Sequence, residues 1–224
     1  MRRILFLVIF GLGGASILIG LGVWQMQRLA WKEGVLTQIE ERIAADPTAL
    51  PASFEPDEDR FAPVKTAGTF EDRTLRVLIS VKREGPGHRL ISSFVTSDGR
   101  RILVDRGWVS VEDDIPPVPT EVAEVIGNLH WPRETDSFTP DPNLETNTWF
   151  ARDVPRMAEV LDTEHVMIVV REASYSDPSV TPLPVDTAGI PNDHLQYAIT
   201  WFSLALIWVT MTGFFLLRSR SAST

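Results

Sequence analysis

The chain has 224 residues, a formal charge of −9 and no cysteine. Lack of cysteine excludes disulfides, zinc ribbons, thiol redox chemistry and a C-x-x-C copper carrier. Net acidity without a basic patch argues against a nucleic-acid partner.

Arg2 and Arg3 precede an uncharged run of 20 residues, 4–23. A cleaved signal peptide has the same charge order, but its apolar core is about 7–15 residues and ends in small residues. Here the run leads into Gly22-Val23-Trp24-Gln25-Met26-Gln27-Arg28, a poor cleavage site. We therefore read residues 1–28 as an uncleaved anchor. Gly11 and Ala15, and Ser16 and Gly20, stand four apart and would let a second helix approach closely. Trp24 and Trp31 bracket the exit of the span, as residues of a membrane interface do. Strong helix formers over 24–45 carry the helix outward as an amphipathic segment until Asp46-Pro47. On it Arg28 and Lys32 stand four apart. Either they clamp an anionic group such as a phosphate or carboxylate, or they snorkel among lipid headgroups.

Residues 29–193 form one domain-sized block with its entry helix. Strands are expected over 61–70 and 74–81, with Leu75, Val77, Ile79 and Val81 alternating. Gly85-Pro86-Gly87 reads as a turn, with His88 solvated at its edge. Residues 89–96 and 100–109 form a hairpin through Ser97-Asp98-Gly99. Another strand is expected over 121–130 and a long loop over 131–147. A short helix follows at 154–161 and a last strand at 164–171. The proline-rich segment 178–191 tethers this block to the second span. The expected fold is thus α+β: two transmembrane helices flanking a β-rich, antiparallel domain, with a barrel as one way to close it.

The second uncharged run, 195–217, is 23 residues, about 34 Å as a helix at ~1.5 Å per residue. We assign the span to 194–217 and a tail to 218–224. Asp193 and His194 stand at its mouth, Arg218 and Arg220 at its end. Tyr197, Trp201, Leu204, Trp208 and Met211 follow His194 at steps of three and four, giving one stripe. The stripe is either a wall for a flat apolar ligand or an aromatic belt beside an interfacial histidine. The adjacent face, Thr200, Ser203, Ile207 and Thr210, is small and is the expected partner of the first span. With four arginines outside the spans, both termini face the cytoplasm. The loop keeps the other 17 of 21 basic residues and all 30 acidic ones. It is then periplasmic in a bacterium, or lies in a mitochondrial intermembrane space.

The block between the spans offers no nucleophile elbow, phosphate loop, zinc-protease motif or dinucleotide fingerprint, and no enzyme activity is expected. His88, His130, His165 and His194 show no metal-ligand pairing. Asp105-Arg106-Gly107-Trp108 reads as a bulge with a local salt bridge.

Three motifs carry a resemblance. Gly22-x-Trp24-Gln25-x-x-Arg28-x-x-Trp31-Lys32, Arg106-Gly107-Trp108-Val109 and Asn192-x-His194-Leu195-x-Tyr197-Ala198-x-Thr200-Trp201-Phe202 together resemble the surfeit-locus-protein-one (Shy-type) family. The likeness covers the whole order of span, loop, span. It implies an assembly factor for haem–copper cytochrome c oxidase in the inner membrane of a bacterium. Such a factor binds haem a and delivers it to the catalytic subunit, with haem a synthase as a second prospective partner. By the resemblance His194 is the axial ligand. Tyr197, Trp201 and Trp24 fit an apolar wall, and Arg28 and Lys32 would meet the propionates. A scaffold that stabilises an oxidase intermediate without haem is the competing reading.

Overall fold

The computed structural model describes residues 2–82 and 84–221. Residues 222–224 of the expected tail, and the side chains of Arg3 and Arg220, lie outside the described residues. The chain divides into a helical unit, Met1–Gln38 with Thr187–Thr224, and a sheet unit, Ile39–Asp186.

The helical unit holds most of α1 (Arg2–Ala44) and α4 (His194–Ser221). Both are long and apolar enough to cross a membrane. α1 continues unbroken beyond its uncharged run, as its helix-forming composition predicts, and stops before Asp46-Pro47. The last turn of α1 counts with the sheet unit. There Ile43 O, a carbonyl with no partner along the helix, accepts from Asn128 Nδ2 at 3.0 Å and from Arg171 at 3.2 Å.

The sheet unit contains β1 (Thr48–Ala49), α2 (Pro56–Asp59), β2 (Pro63–Val81), β3 (Gly85–Thr96), β4 (Arg101–Ser110), β5 (Ala123–Leu129), β6 (Thr148–Trp149), α3 (Val154–Leu161) and β7 (Met167–Ala173). Pairing runs β2-β3-β4-β7-β5, and β5 pairs again with β2. The sheet is mixed. β2–β3, β3–β4, β2–β5 and β5–β7 are antiparallel as expected. β4–β7 is parallel, as are the short pairings of β1 and β6 with β2. The parallel pair follows from chain path: β7 returns to β4 only after β5, β6 and α3, a crossover long enough for parallel strands.

Two expected strands are one. β2 is continuous over 19 residues, and the polar break at Glu71-Asp72-Arg73 appears as a register shift between Phe70 and Thr74. Its first half pairs with β5 and its second with β3. Gly85-Pro86-Gly87 is not the turn. These residues lie in β3 opposite Val81, Ser80 and Ile79. Gly87 is needed inside the strand because a Cβ there would lie 2.0 Å from the Trp108 indole. His88 accordingly sits in β3, half-buried, opposite Val109 rather than on a solvated turn. α3 matches its expected bounds, with Asp153 accepting from the Arg156 N–H at 3.2 Å as N-cap.

The core is continuous across the sheet, with Phe94, Ile91, Leu103, Ile168, Trp149 and Met157 all at 1% exposure or less. Phe70 packs edge-on to Phe94 at 4.8 Å and to Tyr175 at 5.5 Å.

Candidate functional site: a histidine–glutamine pair on two apolar helices

His194 opens α4, and the Tyr197 N–H donates to Asp193 O at 3.2 Å, starting the helix one residue before it. The His194 ring is half-buried, and its Nδ1 lies 2.8 Å from Gln25 Oε1 on α1. Gln25 is only 8% exposed. A buried amide within two apolar helices needs a partner. An amide oxygen only accepts, so Nδ1 carries the proton of this hydrogen bond. In the neutral tautomer with this hydrogen bond, the lone pair is at Nε2. This is the arrangement by which an outer hydrogen bond fixes the tautomer and ring direction of a metal-ligating histidine. Gln25 was not among the site residues expected from sequence. An uncharged amide inside a run of membrane-interface residues is the signal that points to it.

Packing below this pair fixes its geometry. Ala198 is 1% exposed, Ala205 5% and Ala15 7%. A Cβ at Gly22 would meet the Phe202 ring at 2.5 Å, and one at Gly11 would meet Thr212 at 2.2 Å. Trp208 Nε1 donates to Gly11 O at 3.0 Å. Gly11 and Ala15 thus form the close-approach surface that was expected, but Ser16 is exposed and Gly20 has open space around it. On α4 the packed face is not Thr200, Ser203, Ile207 and Thr210, which are all exposed. Thr200 and Thr210 satisfy their hydroxyls on Gln196 O and Leu206 O of their own helix. The packed face carries His194, Ala198, Ala205, Trp208 and Thr212. The alanines leave the room that the threonine face was expected to supply.

The described contacts do not bring the remaining site residues onto the pair. Tyr197 is 56% exposed and Trp24 54%, while Trp201 is half-buried. Leu204 and Met211 of the expected stripe are exposed. Arg28 is exposed and holds its guanidinium 3.9 Å from the Trp31 ring centroid, a cation–π contact. Lys32 is half-buried. By sequence spacing Arg28 and Lys32 stand about one and two turns beyond Gln25.

Comparison with known proteins decides the family. The SURF1 family profile matches residues 13–206. The chain belongs to the SURF1 family. Surfeit locus protein 1 of Homo sapiens is 31% identical over 213 residues, covering 83% of this chain and 69% of that protein. A SURF1-like protein of Rickettsia felis is 30% identical over 203 residues, covering 85% and 88%. Members of the SURF1 family are in general cytochrome c oxidase assembly factors. The family profile takes in the sheet unit and part of each long helix, including all three motifs on which the resemblance rested.

The sheet unit of this SURF1-family chain buries charge of its own. Asp105 is 1% exposed and receives Arg89 Nε at 2.5 Å and Arg152 at 3.4 Å. Arg152 also pairs with Glu134. Burial pulls the Arg152 pKa down, but the Glu134 hydrogen bonds and the Asp105 charge outweigh it and hold it above the ordinary value. Beside them His130 stacks on Phe61 at 5.5 Å, and its Nδ1 is buried without a partner. Burial first, and then the Arg152 and Arg60 charges, push its pKa down to about 3. A histidine kept neutral among arginines is a structural residue here. Among the described residues, no group of three or more His, Asp or Glu side chains is placed to hold a metal ion.

The Asp105-Arg106-Gly107-Trp108 bulge is present: Leu90 pairs with Gly107 and Ile91 with Asp105, so Arg106 is the extra residue. Its ion pairs reach farther than expected, from Asp105 to Arg89 and Arg152, and from Arg106 to Asp177.

Proposed function

We propose that this chain is an assembly factor for a haem–copper cytochrome c oxidase that takes haem a as cargo on His194 Nε2 and assists its insertion into the catalytic subunit. The observation that carries this reading is the His194–Gln25 hydrogen bond at 2.8 Å. Neutral imidazole with an oriented lone pair suits haem iron. Exposed Tyr197, Trp24 and half-buried Trp201 offer aromatic surface to a porphyrin, and Arg28 and Lys32 offer cations to its propionates. One protein ligand at a site open to lipid holds cargo loosely enough to pass on. The chain acts here as a carrier, not as an enzyme.

In this reading α1 and α4 span the inner membrane of a bacterium. Both termini are cytoplasmic, as Arg2, Arg3, Arg218 and Arg220 direct. The sheet unit is then periplasmic, and its ring of pairings is a small barrel. The partners are the lipid bilayer, the oxidase catalytic subunit and, as haem donor, haem a synthase. Nucleic acid is not a partner.

The test is haem a per assembled oxidase in a bacterium whose own family member is deleted. The wild-type chain should restore it. His194→Ala should leave it at least tenfold lower at equal chain abundance. Full restoration by His194→Ala would refute the cargo site and favour the scaffold.

A further inference from the structure

Arg106 has more donors than the sheet unit supplies with acceptors. Its side chain is 1% exposed. One nitrogen, Nη2, pairs with Asp177 and donates to Pro117 O at 3.0 Å. Nε and Nη1 are buried, and among the described residues neither has an acceptor. A guanidinium keeps its charge, so these N–H groups cannot shed a proton instead. Buried donors without partners are costly, and each asks what would fill it. Arg106 lies in the wall of a cavity of about 100 Å³.

The local fold builds this cavity. Arg106 reaches it as the extra residue of the β4 bulge. Trp108 exchanges two backbone hydrogen bonds with Thr181, both at 2.8 Å, which seats the segment carrying Asp177, Val180 and Pro182 beside β4. Gly107 permits the approach. Its φ of +123° is open to glycine, and a Cβ there would lie 2.4 Å from Thr181 O.

The rest of the wall narrows the ligand class. Arg171 donates from Nη1 to Ile43 O at 3.2 Å. Its Nε, 3.3 Å from the Glu172 carboxylate, makes no hydrogen bond. Tyr175 brings a hydroxyl close to Arg106, and burial raises its pKa, so the hydroxyl is protonated and able to donate. The surplus is therefore of donors, which suits an acceptor oxygen. Asp177, 14% exposed, offsets Arg106. Glu172 is mostly exposed, so water weakens its hold on Arg171. A small positive excess remains, enough for one negative charge. A second would meet Asp177. Val170 and Val180 make part of the wall apolar, and the volume has room for a few waters or a short organic acid.

We propose that this cavity is a binding site for a single carboxylate on a short apolar stem, its oxygens accepting from an unpaired Arg106 N–H and from the Tyr175 hydroxyl. The site stands independently of the haem-cargo reading. The carboxylate belongs either to a free short acid or to the end of a peptide chain.

The test titrates acetate into the full chain in detergent and follows the guanidinium NMR signals of Arg106. A saturable shift is expected. Acetamide, the uncharged counterpart, should leave the signals unmoved. Tyr175→Phe keeps the ring against Phe70 but removes one donor, and should weaken acetate binding about tenfold. Arg106→Lys keeps a cation for Asp177 and should abolish binding, read by calorimetry, with Phe94 amide exchange unchanged. Should that variant not fold, Tyr175→Phe decides. An equal response to N-acetylalanine would assign the site to a chain terminus, and a response to acetate alone would assign it to a free acid. No saturable shift in the wild type, an equal shift with acetamide, or unweakened binding by Tyr175→Phe would overturn the site. Inorganic phosphate binding more tightly than acetate would overturn the assignment to a single carboxylate.

Discussion

The two units solve burial in opposite ways. The sheet unit encloses a core in which Phe94, Ile91 and Leu103 reach 0% exposure, and it sequesters Asp105 and Arg106 as well. Its core residues are hidden from water by its own chain. The helical unit buries few residues, chiefly glycine, alanine and Gln25. It leaves Phe6, Leu12, Leu206 and Phe214 more than half exposed. Such a surface is compatible with an apolar solvent, and both helices are long and apolar enough to cross a membrane. The same side-chain type therefore has different worth in the two units. A large apolar residue is stabilising in the sheet unit, while in the helix pair the small residues and the buried Gln25 amide carry the specificity.

The contrast predicts a graded series. Phe94→Ala should cost the sheet unit about 3–5 kcal/mol, read by amide exchange of β3 under mild denaturant. A cost under about 1 kcal/mol would mean that this core is not tightly packed. In the helical unit the largest effect should come from a polar change. Gln25→Leu keeps the volume but removes the acceptor of Nδ1–H, so haem a affinity should fall about 10–100-fold with sheet-unit stability unchanged. Equal affinity would show that the 2.8 Å contact does not orient the ring.

A pH dependence follows for the sheet unit alone. His130 titrates near 6.5 when unfolded and at about 3 when folded. Between those values the unfolded chain binds the extra proton, so stability falls as pH is lowered from about 6.5 towards about 3. The slope is at most about 1.4 kcal/mol per pH unit. His130→Phe should flatten that part of a thermal-midpoint-against-pH curve, and an unchanged slope would contradict the burial of a neutral ring. The smallest effect is expected for Leu204→Ala, on the exposed face of α4. Helix pairing, followed by cross-linking, should change by less than about 0.5 kcal/mol.

Much of this was legible in the sequence, for identifiable reasons. Hydrophobic runs without charge predicted both long helices, and strong helix formers carried α1 past its apolar run. The short helix expected over 154–161 was found with those bounds. Alternation found the strands but not their continuity, since Glu71-Asp72-Arg73 looks like a loop and is absorbed by a register shift. The parallel β4–β7 pair depends on a crossover that no local pattern encodes. Gly85-Pro86-Gly87 misled because the Trp108 indole, twenty-one residues beyond Gly87, is what requires a glycine there. At the site, His194 stood out as an imidazole at a helix mouth. Its partner did not, because Gln25 and His194 are 169 residues apart and no periodicity links them. The threonine face was a fair choice by size, but Ala198 and Ala205 are smaller still and took the interface.

The central claim is that His194 Nε2 is held ready for haem iron by Gln25. Its most direct test is the visible absorption spectrum of the detergent-purified chain made in cells that synthesise haem a, wild type beside His194→Ala. The account predicts a Soret band in the wild type that is lost in the variant at equal protein yield. Equal bands in both would place the ligand elsewhere, and no band in either, with haem a shown to be present, would contradict haem binding altogether.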